Sequence, residues 1–241
     1  MLDSEPLRFM HVMPRDSIEK FIRLLKRSPS GAVFNPWWQV DEQNDIVHNA
    51  PVIRRRQLNA YLRKRLRTAN LALIGEAVGY RGGRFSGIPM TSERLLFGRS
   101  RTVEIKSEDF LGIKPHRTSK FNACADGFSE PTATIVWSTL LKLGLDPEQF
   151  VLWNAFPWHS FDRTRGHLSN RAPNKSEQAR GLPVLKAFLE LFRCKQVVAL
   201  GKIAAAQLEH LGFDFQCVRH PASGGAKLFR EQIARILAGF K

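Results

Sequence analysis

Glu76, Asn154 and His220 bring together a carboxylate, an amide and an imidazole. Each stands just beyond a short apolar run: Glu76 in GEAVG after 71–74, Asn154 in NAFPW after 150–153, and His220 in HPASGG after 215–218. A carboxylate with an ordinary pKa of about 4.3 is ionised at neutral pH and can steady a developing cation or orient an attacking water. A neutral imidazole can donate a hydrogen bond to a departing anion. A primary amide presents donor and acceptor together, which suffices to tell one hydrogen-bonding edge from another. Singly, each residue has an ordinary structural use, as a helix cap, a backbone partner at a strand end, or a turn. Three such groups at three strand ends point instead to one site.

The elements that must position these groups are legible as periodicities. Apolar runs at 71–74, 150–153, 196–200 and 215–218 alternate with segments at 131–143, 176–192, 203–211 and 228–238, whose apolar residues recur every three or four positions. Strand and helix in alternation predict a parallel sheet covered on both faces, and ligands of such sheets bind beyond the carboxyl ends of the strands. The stretch 80–130 breaks the rhythm and reads as a long irregular connection. A helix is expected over 16–26, followed by a turn-rich segment, so residues 1–52 read as an N-terminal extension packed on an α/β domain spanning 53–241. From Ile53 the chain turns basic. Leu58, Tyr61, Leu62 and Leu66 share one helical face, and Arg54, Arg55, Arg56, Arg63, Lys64, Arg65 and Arg67 occupy the remainder, as a solvated face or a phosphate-contacting one.

Composition narrows the function classes. The 241 residues are 43% hydrophobic, enough for a buried core, and 37 Lys+Arg against 22 Asp+Glu leave a net charge of +15, which calls for a polyanionic partner. Cys124, Cys194 and Cys217 are far apart and offer neither a disulfide framework nor a four-cysteine metal or cluster site. No run approaches the ~18 apolar residues of a membrane span, and no membrane partner is expected. The Gly75 turn fails the dinucleotide fingerprint because Ala77 stands where the second glycine belongs. Gly201-Lys202 fails the phosphate-loop pattern at Gln196 and Ile203.

GEAVG, the asparagine of VLWNAFPW, and HPASGG, in that order, resemble the three signature motifs of the uracil-DNA glycosylase superfamily over roughly 70–238. The resemblance implies an α/β fold, a three-layer α/β/α sandwich with a short, mainly parallel central sheet. It also implies a monofunctional DNA N-glycosylase of base excision repair, acting on a uracil or related damaged base flipped out of DNA and leaving an abasic site. Such a protein is expected to be monomeric, to need no metal or redox cofactor, and to work in the cytoplasm with the chromosomal DNA. A non-turnover protein of the same fold that binds damaged DNA or abasic sites is the alternative.

Carried over residue by residue, the motifs assign Glu76 and His220 to catalysis and Asn154 to base recognition. GEAVG is closest to the GEAPG turn of an iron-sulfur branch, with Val78 in place of proline and without that branch's cysteines. In the best-known branch an Asp of this turn activates water and a Tyr two residues later excludes thymine; Ala77 and Gly79 stand there here, which leaves Glu76 as the catalytic candidate and Gly79 as an open gate. The family's stacking Phe falls at Met90 in GIPM, with Phe85 as a second stacking candidate. Arg81, Arg84, Arg219 and Lys227 are expected to hold DNA, and Ser223 and Gly224 to let the last loop approach the minor groove.

Overall fold

The computed structural model describes residues 16–239, and each of the four apolar runs is a strand in it. In chain order the elements are α1 (Asp16–Leu24), β1 (Val33–Phe34), α2 (Ala50–Arg65), β2 (Leu71–Ala77), α3 (Gly83–Ser86), α4 (Glu93–Leu96), α5 (Ser107–Leu111), α6 (Pro131–Lys142), β3 (Phe150–Phe156), β4 (His159–Ser160), α7 (Lys175–Phe192), β5 (Gln196–Leu200), α8 (Lys202–His210), β6 (Gln216–Val218) and α9 (Ala226–Ala238). Four strands form one parallel sheet in the order β3-β2-β5-β6, while β1 and β4 make a separate antiparallel pair.

Both faces of the sheet are covered, and the side chains of β3 show how. Phe150 meets Trp137 of α6 with ring centroids 4.9 Å apart, and Trp153 stacks on Phe188 of α7, also at 4.9 Å. Residues three apart on a strand point to opposite faces, so α6 and α7 flank the sheet on opposite sides. Right-handed crossovers demand the same arrangement, because the β2-to-β3 and β3-to-β5 connections run in opposite directions across the sheet. The chain therefore leaves β2 and β3 toward opposite faces, and a crevice opens between their carboxyl ends. Asn154 lies on the face of Phe150, the α6 side, opposite Gly75 in the register.

Two departures from the expected pattern have physical causes. The stretch 80–130 is not irregular throughout: it holds α3, α4 and α5, of four, four and five residues, too short to show a helical period. Its return is pinned by the buried Glu93 carboxylate, which accepts from the Thr118 and Ser119 backbone N–H groups at 2.9 and 3.1 Å. Second, two arginines of α2 are interior. Arg54 is fully buried, ion-paired with Asp45 and donating to the Pro36 carbonyl at 2.8 Å; Arg65 lies 3.9 Å over the Tyr61 ring and donates to the Phe110 carbonyl at 2.8 Å. Their positions continue the inward face of Leu58 and Tyr61. From residues 16–37, Ile18, Phe21, Leu25, Val33 and Trp37 join the main hydrophobic cluster.

Candidate active site

At the carboxyl edge of β2 and β3 lies a cavity of about 330 Å³, with Glu76, Met90, Glu130, Asn154, Arg171 and His220 among its lining. A wider groove of about 870 Å³ runs beside α1, α2 and α5 and holds none of the motif residues.

The floor is built around a glycine. A Cβ on Gly75 would come within 2.8 Å of Asn154 Nδ2 and 3.0 Å of Met90 Sδ, so only the bare backbone lets the amide and the thioether lie side by side over β2. Asn154 is 1% exposed. Its Nδ2 donates to the Ala77 carbonyl at 3.2 Å, which fixes the amide plane, and its Oδ1 is buried without a partner. A buried acceptor left empty is costly unless a ligand supplies the donor. Met90 holds a left-handed backbone at φ 46°, with its carbonyl accepting from Trp137 Nε1 at 3.1 Å. Strain of this kind persists only where surrounding contacts over-determine it.

His220 enters from the loop after β6. That loop is tight: a side chain on Gly225 would collide with the His220 carbonyl. The backbone N–H of Ala222 donates to His220 Nδ1 at 3.1 Å, so Nδ1 is the acceptor nitrogen and Nε2 carries the proton. Burial, with the neighbouring Arg219 charge adding to it, lowers the imidazole pKa. The ring lines the cavity as a neutral imidazole with its proton on Nε2.

Two carboxyls share the space. Glu76, at the end of β2, is half-buried, and burial raises its pKa above the ordinary carboxylate value. Glu130, the residue before α6, was not singled out by sequence reasoning. Its Oε2 is buried without a partner, and burial pushes its pKa up to about 7. A Cβ on Gly79 would collide with Glu130 Oε1, so the wall expected to stand open at Gly79 is filled from across the cavity.

The predicted residues divide plainly. Glu76, Gly79, Met90, Asn154 and His220 converge on the cavity. Arg81, Arg219, Ser223, Gly224 and Lys227 are exposed on or beside the loops that carry Gly79 and His220. Arg84 and Phe85 are corrections. Arg84 is fully buried, ion-paired with Asp41 and packed 4.2 Å over Phe85, so it cannot contact DNA. Phe85 is likewise buried and stacks on Phe128 at 4.7 Å rather than lining the cavity. One helical turn, α3, rotates both inward. At the end of α2, Arg63 pairs with Glu19 at 2.9 Å and Lys64 with Glu148 at 3.1 Å, both pairs partly exposed, where the chain enters the sheet. Roughly 20 Å of strand separates that edge from the cavity. Among the described residues, no group of three or more His, Cys, Asp or Glu side chains is placed to hold a metal, and no helix is long and apolar enough to cross a membrane.

A crevice thus opens at the switch point of a parallel sheet, with carboxyl, amide and neutral imidazole around it. The family model of the uracil DNA glycosylase superfamily matches residues 65–237, and the chain belongs to that superfamily. It is thereby placed among the DNA glycosylases, enzymes of base excision repair. A crystal structure of wild-type SMUG2 from Pedobacter heparinus shares the fold, with a TM-score of 0.58 at 13% identity over 93% of this chain and 97% of that one. No curated protein sequence matches at a significant level.

Proposed function

We propose that the protein hydrolyses the N-glycosidic bond of uracil in DNA and leaves an abasic site. The observation that carries this reading is the orphaned Asn154 Oδ1 in the cavity. An acceptor without a donor fits the N3–H of uracil and opposes cytosine, whose N3 is itself an acceptor. Breaking the bond between the deoxyribose C1′ and N1 places positive charge on the sugar and negative charge on the base. Glu76, ionised, answers the first and orients water; His220 Nε2–H answers the second by donating to O2. No lysine lines the cavity among the described residues, which favours water over an amine as nucleophile and hence simple hydrolysis. The base must leave the helix to reach this depth. Exposed Arg81, Arg219 and Lys227 hold the phosphates, and Leu228, 44% exposed at the start of α9 beside Lys227, is an apolar side chain placed to fill the gap.

The test is incubation of the purified chain with single- and double-stranded oligonucleotides carrying one uracil, measuring free uracil and alkaline scission. Release is expected; tight binding without release would replace this reading with that of a non-turnover damage binder. Two variants examine the cavity floor. Asn154→Asp should lower uracil release about tenfold, the scale of one lost hydrogen bond, and allow detectable cytosine release because a protonated acid can meet the cytosine edge. Indifference to the change would remove Asn154 from base recognition. Gly75→Ala should leave the melting temperature within a few degrees, since the displaced atoms are side-chain ends, yet cost about tenfold in single-turnover rate by tilting the amide and thioether. An unchanged rate would mean that the close approach at Gly75 is without consequence for the site.

A further inference from the structure

Glu130 sits where a helix cap belongs and does not act as one. It is the N-cap residue of α6, but its side chain makes no capping hydrogen bond; only its carbonyl is used, accepting from Thr134 N at 3.0 Å and Thr134 Oγ1 at 3.1 Å. The carboxyl turns instead onto the loop between β2 and α3, where added side chains at Gly79 and Gly82 would collide with Oε1 and Oε2 respectively. Two side-chain-free positions thus make room for one carboxyl on the cavity wall.

The ionisable groups around it are accounted for. Glu76 from β2 and His220 from the loop after β6 line the same cavity. Arg171, before α7, also lines it, but its guanidinium is held by Glu177 at 2.6 and 2.7 Å and by the Ala32, Phe161 and Ala172 carbonyls at 3.0 Å. In the adjoining turn Arg81 Nε donates to the Tyr80 hydroxyl at 2.7 Å. Burial is the cause that shifts the Glu130 carboxyl, and it favours the protonated form.

A protonated carboxyl is a hydrogen-bond donor, and among the described residues Glu130 Oε2 on the cavity wall has no partner. The imide edge of a base presents an N–H between two carbonyls and needs an acceptor between two donors. Asn154 Oδ1 is the acceptor and His220 Nε2–H one donor; Asn154 Nδ2 spends one of its two N–H groups on the Ala77 carbonyl, and Glu130 lines the same cavity. We infer that Glu130 is a specificity-determining residue of this pocket, donating from its carboxylic acid to the second carbonyl of an imide-type base, O4 in uracil. The inference rests on the assignment of such a base to the cavity. Ionisation of Glu130 then replaces the donor with an anion facing a carbonyl oxygen and a departing anionic base. Uracil release falls as the pH rises through about 7. Glu76 and His220 act in the opposite sense, since Glu76 must be ionised and His220 neutral.

The experiment is single-turnover uracil release by the full chain across neutral and alkaline pH, for the parent, Glu130→Gln, Glu130→Ala and Gly79→Ala, with melting curves for each. The parent rate should fall up to tenfold per pH unit on the alkaline side. Glu130→Gln, a donor at every pH, should be flat there and overtake the parent. Glu130→Ala should be slower than the parent at neutral pH without the alkaline fall, and Gly79→Ala, which pushes the carboxyl aside, should resemble it. A Glu130→Gln profile superimposable on the parent's, or a parent without the alkaline fall, would overturn the role of Glu130 while leaving the activity standing. Absence of release by the parent at every pH would overturn both.

Discussion

Glu76→Gln is expected to bind uracil-containing DNA as the parent does and to release uracil about 10²-fold more slowly, the scale of one preorganised electrostatic group. The substitution keeps size and hydrogen-bonding atoms and removes only the charge proposed to face the sugar cation. Since the proposed binding rests on phosphates and the base edge, affinity measured on a non-cleavable duplex should hardly change. The pH dependence carries a second signature. Burial raises the Glu76 pKa above the ordinary carboxylate value, so the parent loses activity as the pH falls through that raised value, and the Gln variant should lack this acid limb. Single-turnover rates across the acid range measure both effects. Full rates in Glu76→Gln would mean that water is activated elsewhere, a live question because Ala77 stands where the best-known branch of the family has an aspartate.

His220→Ala should cost a similar ~10²-fold by removing a donor aimed at the departing anion, and it should be distinguishable by the base. The imidazole is held as the Nε2–H tautomer by the Ala222 N–H and kept neutral by burial and by Arg219. It therefore matters most when the leaving anion is poorly stabilised on its own. 5-Fluorouracil carries its negative charge with less help than uracil, so it should rescue His220→Ala more than Glu76→Gln. Release of both bases by both variants provides the comparison. Equal rescue would take His220 off the leaving-group side of the bond.

The strands and long helices were legible because each keeps its period for several residues, and Glu76, Asn154 and His220 because each falls at or just past the carboxyl end of a strand. What escaped depended on distance. Arg84 and Phe85 sit next to the motif in sequence, but α3 turns them toward Asp41 and Phe128, partners 43 residues away in both cases. Arg54 and Arg65 fell on the inward face by spacing, and their charge masked what their spacing said. Glu130 before Pro131 has the form of a conventional helix start; that its carboxyl leaves the helix for the Gly79 turn is set by contacts across 51 residues, which no local pattern carries. The space it fills is the one that the sequence left open at Gly79.

The pairing of Arg84 with Asp41 separates kinship from autonomy in this chain. The superfamily match begins at residue 65, yet the anion that neutralises Arg84 lies outside it, its pKa held well below the carboxylate range, against the upward pull of burial, by hydrogen bonds from His167 and Asn44 and by Arg84 itself. A fragment trimmed to the matched residues would keep every motif and strand a buried guanidinium, a loss of about 3–5 kcal/mol against a typical total of about 5–15. It would also shed Phe21 and Trp37 from around Trp153. The unit that the family match covers is smaller than the unit packed around the sheet, and any transplant of this pocket into another protein should carry α1 through α2 with it.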